Sequence, residues 1–279
     1  MYIMDGKETS RELKEKIKNI VKELPSKPKL FVILVGDDPA SQIYVSSKEK
    51  ACKACEIDTV TVHLSADVSQ KEVIGVVEQA NKDESVNAIL VQLPLPDHIN
   101  EKDVIAAISP LKDVDGLTSI NQGKLFMGES GLVPCTPKGV MHLFEKYNVD
   151  LNGKNALVIG RSLLVGKPLA ILMLNKNATV TIAHSKTKNL KELCLGMDII
   201  VSAVGKPKTI TEDMVKEGAI IVDVGINRVH GTIVGDVDYL NVSPKCARIT
   251  PVPGGVGPMT IACLLENVVE CYKMQKEIE

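Results

Sequence analysis

Continuous apolar runs and amphipathic stretches alternate along the first hundred residues. Residues 10–24, "SRELKEKIKNIVKEL", place Leu13, Ile17, Ile20, Val21 and Leu24 on one helical face. The run "KLFVILVG" (29–36) reads as a strand buried on both sides. Asp37, Asp38 and Pro39 then carry the signature of a helix start, so Tyr44 and Lys48 fall at i and i+4 on one face of that helix. "DTVTVHL" (58–64) alternates as a strand, "SQKEVIGVVEQANKD" (69–83) opens on a Ser cap as a helix, and "NAILVQLPLP" (87–96) is a strand ending in prolines. "NEKDVIAAISP" (100–110) predicts a short helix. This β-α-β-α-β rhythm implies a parallel sheet with helices on both faces.

Residues 111–137 lose this periodicity and predict neither a helix nor a strand, as in an interdomain connection or a functional loop. The rhythm resumes with a helix over 137–149 and a strand "KNALVIG" (154–160). Helix, strand, helix and strand follow through residue 205, with a helix over "TEDMVKEG" (211–218), a strand over "AIIVDVGI" (219–226) and a long C-terminal helix from 257. The expected class is therefore α/β, with two α/β domains, the C-terminal one of Rossmann type. At 279 residues the chain suits two cores better than one.

Composition narrows the function classes. Hydrophobic residues make up 44% and charged residues 24%, as in a folded globular protein. The 33 basic and 35 acidic side chains intersperse to a net charge of −2, so no basic block suggests nucleic acid. With no Trp and 3% aromatics, base-stacking platforms are not expected. No apolar run reaches a membrane span and the N-terminus lacks a leader's apolar core, so an unexported, cytoplasmic protein is expected. The seven scattered Cys fit a reducing compartment. Cys52 and Cys55 form a C-x-x-C, but no second pair or well-placed His completes a zinc site, and two packing thiols on a helix is the reading adopted. The sequence predicts no metal.

"GRSLLVGKP" (160–168) joins a strand to a helix, where a dinucleotide fold cradles pyrophosphate. Gly160 and Gly166 are six apart, which is not the G-x-G-x-x-G spacing, and a plain tight turn explains the loop equally well. The next strand ends "AHSKTK" (183–188), and residues 177–191 contain no acidic residue to bind ribose hydroxyls. Ser185, Lys186 and Arg161 instead suit a 2′-phosphate, so a bound dinucleotide is expected to be NADP. Four further pieces fall at strand ends or in loops: Tyr44 with Lys48, Gln92, the "KDVDG" turn with Asp113 and Asp115, and "PVPGGVGPMT" (251–260). Each singly has a bland explanation. Walker loops, nucleophile elbows, H-E-x-x-H motifs and EF-hand ligand sets are absent from the sequence.

In order, "PASQIYVSSKEKAC", "VQLPLP", "KDVDGLTSIN", "PCTPKG", "VIGRSLLVGKP", "VTIAHSKT", "VDVGIN", "GDVD" and "TPVPGGVGPMT" span essentially the whole chain. Through them the chain resembles the bifunctional methylenetetrahydrofolate dehydrogenase/methenyltetrahydrofolate cyclohydrolase family, in the form lacking the formate–tetrahydrofolate ligase part of some larger relatives. The resemblance implies two α/β domains flanking a cleft. A folate-binding catalytic domain would take residues 1–118 plus 259–279, and an NADP-binding domain residues 119–258. It implies a homodimer acting on tetrahydrofolate derivatives, with neither nucleic acid nor membrane as partner. Lys48 matches the catalytic lysine, Tyr44 the tyrosine beside the folate, Gln92 the glutamine near the lysine, and Asp115 the carboxylate that holds the pterin. Val91, Leu93 and the loop Pro253, Gly254, Gly255, Val256 and Gly257 match folate-lining positions; Gly160, Arg161, Ser162, Ser185 and Ile226 match cofactor contacts. A dehydrogenase-only relative and a catalytically silent folate- or nucleotide-binding protein are the alternatives.

Overall fold

The computed structural model describes residues 2–278. In chain order it contains β1 (Tyr2–Ile3), α1 (Gly6–Glu23), β2 (Lys29–Val35), α2 (Pro39–Ala54), β3 (Asp58–Leu64), α3 (Gln70–Lys82), β4 (Ala88–Val91), α4 (Glu101–Ala106) and α5 (Ser119–Met127). There follow α6 (Cys135–Lys146), β5 (Asn155–Ile159), α7 (Gly166–Leu174), β6 (Thr179–Ala183), α8 (Leu190–Leu195), β7 (Ile199–Ser202) and β8 (Ile220–Asp223). The chain ends with β9 (Asn227–Val229), β10 (Thr232–Val234), α9 (Tyr239–Val242), β11 (Arg248–Ile249) and α10 (Val256–Lys276). These elements fall into two compact units. The first takes Glu12–Val133 and the chain from Ile261 on; the second takes Pro134–Thr260 and the chain up to Arg11. These units differ from the expected boundaries at both ends of the early segment. β1 pairs with β11, and the Asp5 amide donates to the Tyr147 hydroxyl at 2.8 Å, so the N-terminus joins the second unit. Residues 119–133 stay with the first, where Asn267 Nδ2 donates to the carbonyls of Val114 and Val133.

The first unit is built on three parallel strands in the order β3-β2-β4. Central β2 buries Leu30, Val32, Ile33, Leu34 and Val35, as its unbroken apolar run requires, whereas edge strand β3 alternates and stays half-exposed. Val73, Val77 and Val104 from α3 and α4 pack against Ile33, Ile89 and Val91. Helix α3 opens on a reciprocal Ser69–Glu72 capping box. Its carboxyl end is closed by the buried Lys112, whose Nζ donates to the carbonyls of Ala80, Asn81 and Asp83 at 2.8–3.1 Å. Lys112 and Asp113 then run parallel to Ile89 at the rim of β4, with the Ile89 amide donating to the Lys112 carbonyl.

The second unit holds a six-stranded, all-parallel sheet in the order β1-β11-β8-β7-β5-β6. Its core joins Leu157, Ile159, Ile200 and Ile221 to Val215 and Val237. β9 and β10 form a hairpin whose turn, His230–Gly231, has φ of 47° and 80°, the left-handed pair that matches strand twist.

Two local expectations fail. Residues 119–127 form helix α5 within the stretch read as irregular. Thr118 caps its start, and Gly128, at φ 74°, ends it. Ile120, Phe126 and Met127 are exposed, while Asn121 is buried, so the helix carries no apolar stripe to read. Conversely, the helix expected over 211–218 shrinks to a 3₁₀ turn at Glu212–Met214.

Two buried carboxylates tie together the loops at the carboxyl edge of the large sheet. Asp223 accepts from the amides of Gly225, Asp236 and Val237, each at 2.9 Å. Asp236 accepts from Ser202 Oγ and the amides of Val204, Gly205 and Lys206 at 2.8–3.2 Å, and from Asn227 Nδ2 at 3.1 Å. Burial, with the neighbouring Asp236 acting in the same direction, pushes the Asp223 carboxyl up to about 6 against the pull of its three amide donors. An unfolded chain loses this proton near pH 4 while the folded chain keeps it until near pH 6, so the group weakens folding as pH rises through that window. Urea unfolding between about pH 4 and pH 6 should show a fall on the order of 3 kcal/mol from this group. Asp223→Asn should flatten the slope, and an equally steep profile in the variant would assign it to other groups.

Candidate active site

In the first unit, the chemistry-bearing side chains gather where β2 and β4 end. Asp38 caps α2 by accepting from the Ser41 amide at 2.7 Å, Pro39 occupies its first turn, and this entry sets the face carrying Tyr44 and Lys48. Tyr44 is exposed and Lys48 half-buried, one turn apart. Gln92 follows β4, its amide bound to the Ile33 carbonyl and its side chain buried. Its Nε2 donates to the Leu93 carbonyl at 2.7 Å, which turns Oε1 toward Lys48, and Lys48 Nζ donates to that oxygen at 3.0 Å. The lysine thus meets a neutral acceptor. Val91 is a core residue with its side chain buried, and Leu93 is half-buried beside Gln92.

The two carboxylates of "KDVDG" separate by environment. Asp113 is buried and accepts from the Leu117 and Thr118 amides and from Asn121 Nδ2 at 2.8–3.1 Å. It is therefore the anchor of the turn. Asp115 is half-buried, just before Gly116, whose φ of 64° permits the reversal.

In the second unit, the dinucleotide-type loop follows β5. Gly160 has φ 133°, and a Cβ there would lie 2.6 Å from the Ala203 carbonyl oxygen; a Cβ on Gly166 would lie 2.2 Å from the Gly160 oxygen. The unusual six-residue spacing is thus a loop folded back onto itself, glycine against glycine. Ser162 Oγ accepts from the Val165 and Gly166 amides at the start of α7, and Arg161 projects outward and exposed. After β6, the Thr187 amide donates to the His184 carbonyl at 2.8 Å and the Lys186 amide to His184 Nδ1 at 3.2 Å, leaving Ser185 and Lys186 exposed at the tip of the turn. Ile226, beyond β8, is exposed. Residues 253–255 lead into α10, whose first turn holds Val256 and Gly257; a Cβ on Gly255 would lie 2.5 Å from the Pro251 oxygen and one on Gly6 would lie 1.7 Å from the Gly255 oxygen, so this loop too is set by close backbone contact.

The structure also reveals residues that sequence reasoning passed over, namely Asp223, Asp236 and Asn227. Their motifs, "VDVGIN" and "GDVD", carried a signal only in the two Gly–carboxylate pairs. A Cβ on Gly225 would meet Asp236 Oδ1 at 2.1 Å and one on Gly235 would meet Asp223 Oδ2 at 1.9 Å.

Cys52 and Cys55 are both buried, and burial pushes the Cys52 thiol up to about 12. Cys55 Sγ donates to the Lys14 carbonyl at 3.6 Å and is pushed up likewise. These are packing thiols, poor in the thiolate that redox chemistry needs.

A family profile described as "Tetrahydrofolate dehydrogenase/cyclohydrolase, catalytic domain" matches residues 4–115, and one described as "Tetrahydrofolate dehydrogenase/cyclohydrolase, NAD(P)-binding domain" matches residues 134–276. The chain is 54% identical over 280 residues to the bifunctional protein FolD of Campylobacter fetus, with 99% of each covered. It is similar to the crystal structure of the bifunctional enzyme FolD from Campylobacter jejuni at TM-score 0.97 and 50% identity, with 99% of each chain covered. It is also similar to the Trypanosoma brucei methylenetetrahydrofolate dehydrogenase-cyclohydrolase, solved with NADP cofactor and an inhibitor, at TM-score 0.94 and 35% identity, covering 99% of this chain and 98% of that one. With both profiles in sequence order and relatives matched end to end, the chain belongs to the tetrahydrofolate dehydrogenase/cyclohydrolase family.

Proposed function

We propose that the chain oxidises 5,10-methylenetetrahydrofolate to 5,10-methenyltetrahydrofolate with NADP⁺ and then hydrolyses the product to 10-formyltetrahydrofolate. The observation that carries this reading is the 3.0 Å hydrogen bond from Lys48 Nζ to Gln92 Oε1, one helical turn from Tyr44. Hydride transfer asks of the protein mainly that donor and acceptor carbons be held together. The hydrolysis needs a proton carrier. Water adds to the methenyl carbon and loses a proton to Lys48, which returns it to the ring nitrogen as the carbon–nitrogen bond breaks, and the remaining hydroxyl proton leaves to solvent as the formyl C=O forms. A cationic substrate beside the amine disfavours a second positive charge, and the neutral Gln92 oxygen orients the amine without the pull a carboxylate would exert.

Tyr44, exposed on the same face, is assigned to packing on the substrate rings, and Asp115 to the amino-pyrimidine edge of the pterin. Val91 and Leu93, flanking Gln92, and the loop Pro253–Gly257 are assigned as folate-lining positions. Gly160, Arg161, Ser162, Ser185 and Ile226 are assigned to NADP; the exposed Arg161 and Ser185, with Lys186, supply donors for a 2′-phosphate. The chemistry assigned to Lys48, Gln92 and Asp115 thereby belongs to the first unit's strand ends, and cofactor binding to the second unit, which also carries the 253–257 loop. A homodimer is proposed from the family resemblance, with no nucleic-acid or membrane partner. Seven buried cysteines outside disulfides suit the reducing cytoplasm proposed as its compartment. Among the described residues, no helix is long and apolar enough to cross a membrane.

Following methenyltetrahydrofolate by its absorbance, with NADP⁺ and NAD⁺ in parallel, tests the reading. Lys48→Met should lower the hydrolysis rate by about 10²-fold or more; hydrolysis at the wild-type rate would remove Lys48 from the mechanism. Asp115→Ala should raise KM for the folate in both reactions by about 10–100-fold, the loss of a charge-assisted contact. Loss confined to one reaction would contradict its anchoring role. Arg161→Ala should lower the NADP⁺/NAD⁺ ratio of kcat/KM by about tenfold, and an unchanged ratio would place the 2′-phosphate elsewhere.

A further inference from the structure

The strand order of the second unit constrains how a dinucleotide lies across it. β5 sits between β6 on one side and β7, then β8, on the other, so the strand order reverses there and ligands bind beyond the carboxyl ends. With pyrophosphate at the Gly160–Gly166 loop and the adenosine 2′-phosphate at the β6 end, the nicotinamide half runs over β7 and β8. The two exposed apolar side chains just past those strands are Val204, 44% exposed, and Ile226, 50% exposed. Strands β7 and β8 pair with Ser202 opposite Asp223, and the Val224 amide donates to the Ser202 carbonyl, so both side chains leave from neighbouring strand ends.

One fully buried carboxylate controls both departures. Asp236 Oδ2 accepts from Ser202 Oγ and from the amides of Val204 and Gly205. Its Oδ1 accepts from the Lys206 amide and from Asn227 Nδ2, the residue after Ile226. The Asp236 amide is in turn fixed by Asp223 Oδ1. A Cβ on Gly225 would displace the Asp236 carboxylate and one on Gly235 would displace that of Asp223, so the glycines keep both carboxylates against backbone. Five donors on one side chain, drawn from two loops, exceed what closing a single turn requires.

We infer that Asp236 is a positioning residue for the dehydrogenase reaction: it sets the Val204 and Ile226 loops as the two walls that orient the nicotinamide half of the cofactor. This inference rests on the NADP reading above. The carboxylate touches no reacting atom, and its influence passes through the backbone it holds.

Asp236→Asn tests it, because the amide keeps one acceptor edge and turns N–H donors toward the other group of donors. Three quantities are read on the purified full-length protein. Dehydrogenase kcat/KM for NADP⁺ should fall about tenfold or more, while the Kd for adenosine 2′,5′-bisphosphate, which lacks the nicotinamide half, and the rate of methenyltetrahydrofolate hydrolysis stay within about twofold. An equal fall in all three would show general damage and overturn the inference, as would an unchanged kcat/KM. If the wild-type protein failed to bind adenosine 2′,5′-bisphosphate, the NADP reading itself would fall, a result distinguishable from either. Should Asp236→Asn not fold, Asn227→Ala, which removes one donor, should give the same split at about threefold, and no split would again overturn it.

Discussion

Asp223 and Asp236 gather backbone N–H groups from loops beyond the carboxyl edge of the six-stranded sheet, and Asp113 does the same in the turn that follows its bridge to β4. Parallel strands end with their last amides and the following loop unpaired, and in a buried setting those groups need acceptors from within the chain. A carboxylate with two oxygens satisfies several at once and thereby fixes the loop's path. The same answer recurs in both units, on sheets of three and of six strands. The positions assigned above to substrate and cofactor ride on the fixed loops: Asp115 two residues beyond Asp113, and Val204 and Ile226 on the loops bound to Asp236.

The supporting carboxylates and the groups assigned to the reaction are separated by burial. Asp113 is 1% exposed and Asp236 fully buried, whereas Lys48, Asp115, Arg161 and Ser185 are half-buried or exposed. Gln92 stands between the classes. It is 8% exposed, tied to the Leu93 carbonyl on one side and offering its oxygen to Lys48 on the other. An uncharged amide there suits the proton-carrying role proposed for Lys48, since a carboxylate would hold the ammonium through charge as well as hydrogen bonding.

How much of this the sequence disclosed depended on the range of the interaction. The β2 run, the Asp38–Pro39 start of α2 and the Ser69 cap are local patterns, and each forms as read. Strand β1 has only two residues, too few for any period, and it exists because β11 offers an edge. Helix α5 lacks an apolar stripe, and its start is fixed by Thr118, whose amide donates to the buried Asp113 five residues earlier. The candidate site residues were read from motifs, but the carboxylate that organises the second unit's loops was not. Asp236 bonds to residues from 202 to 206 and to Asn227, and only the folded sheet brings those segments to one point. The six-residue glycine spacing was read correctly as departing from the usual fingerprint. Its cause, the contact of Gly166 with Gly160, is a three-dimensional fact.

All seven cysteines are buried and outside disulfides, and the thiols of Cys194 and Cys246 are pushed up to about 11 by loss of water. Alkylating dyes and spin labels react with the thiolate, which such surroundings suppress. A cysteine introduced on an exposed helix face would consequently stand out as the readily labelled position, with the native seven left in place. Distance measurements between chosen pairs of surface points within one unit could then follow ligand binding without first stripping the core of its sulfur.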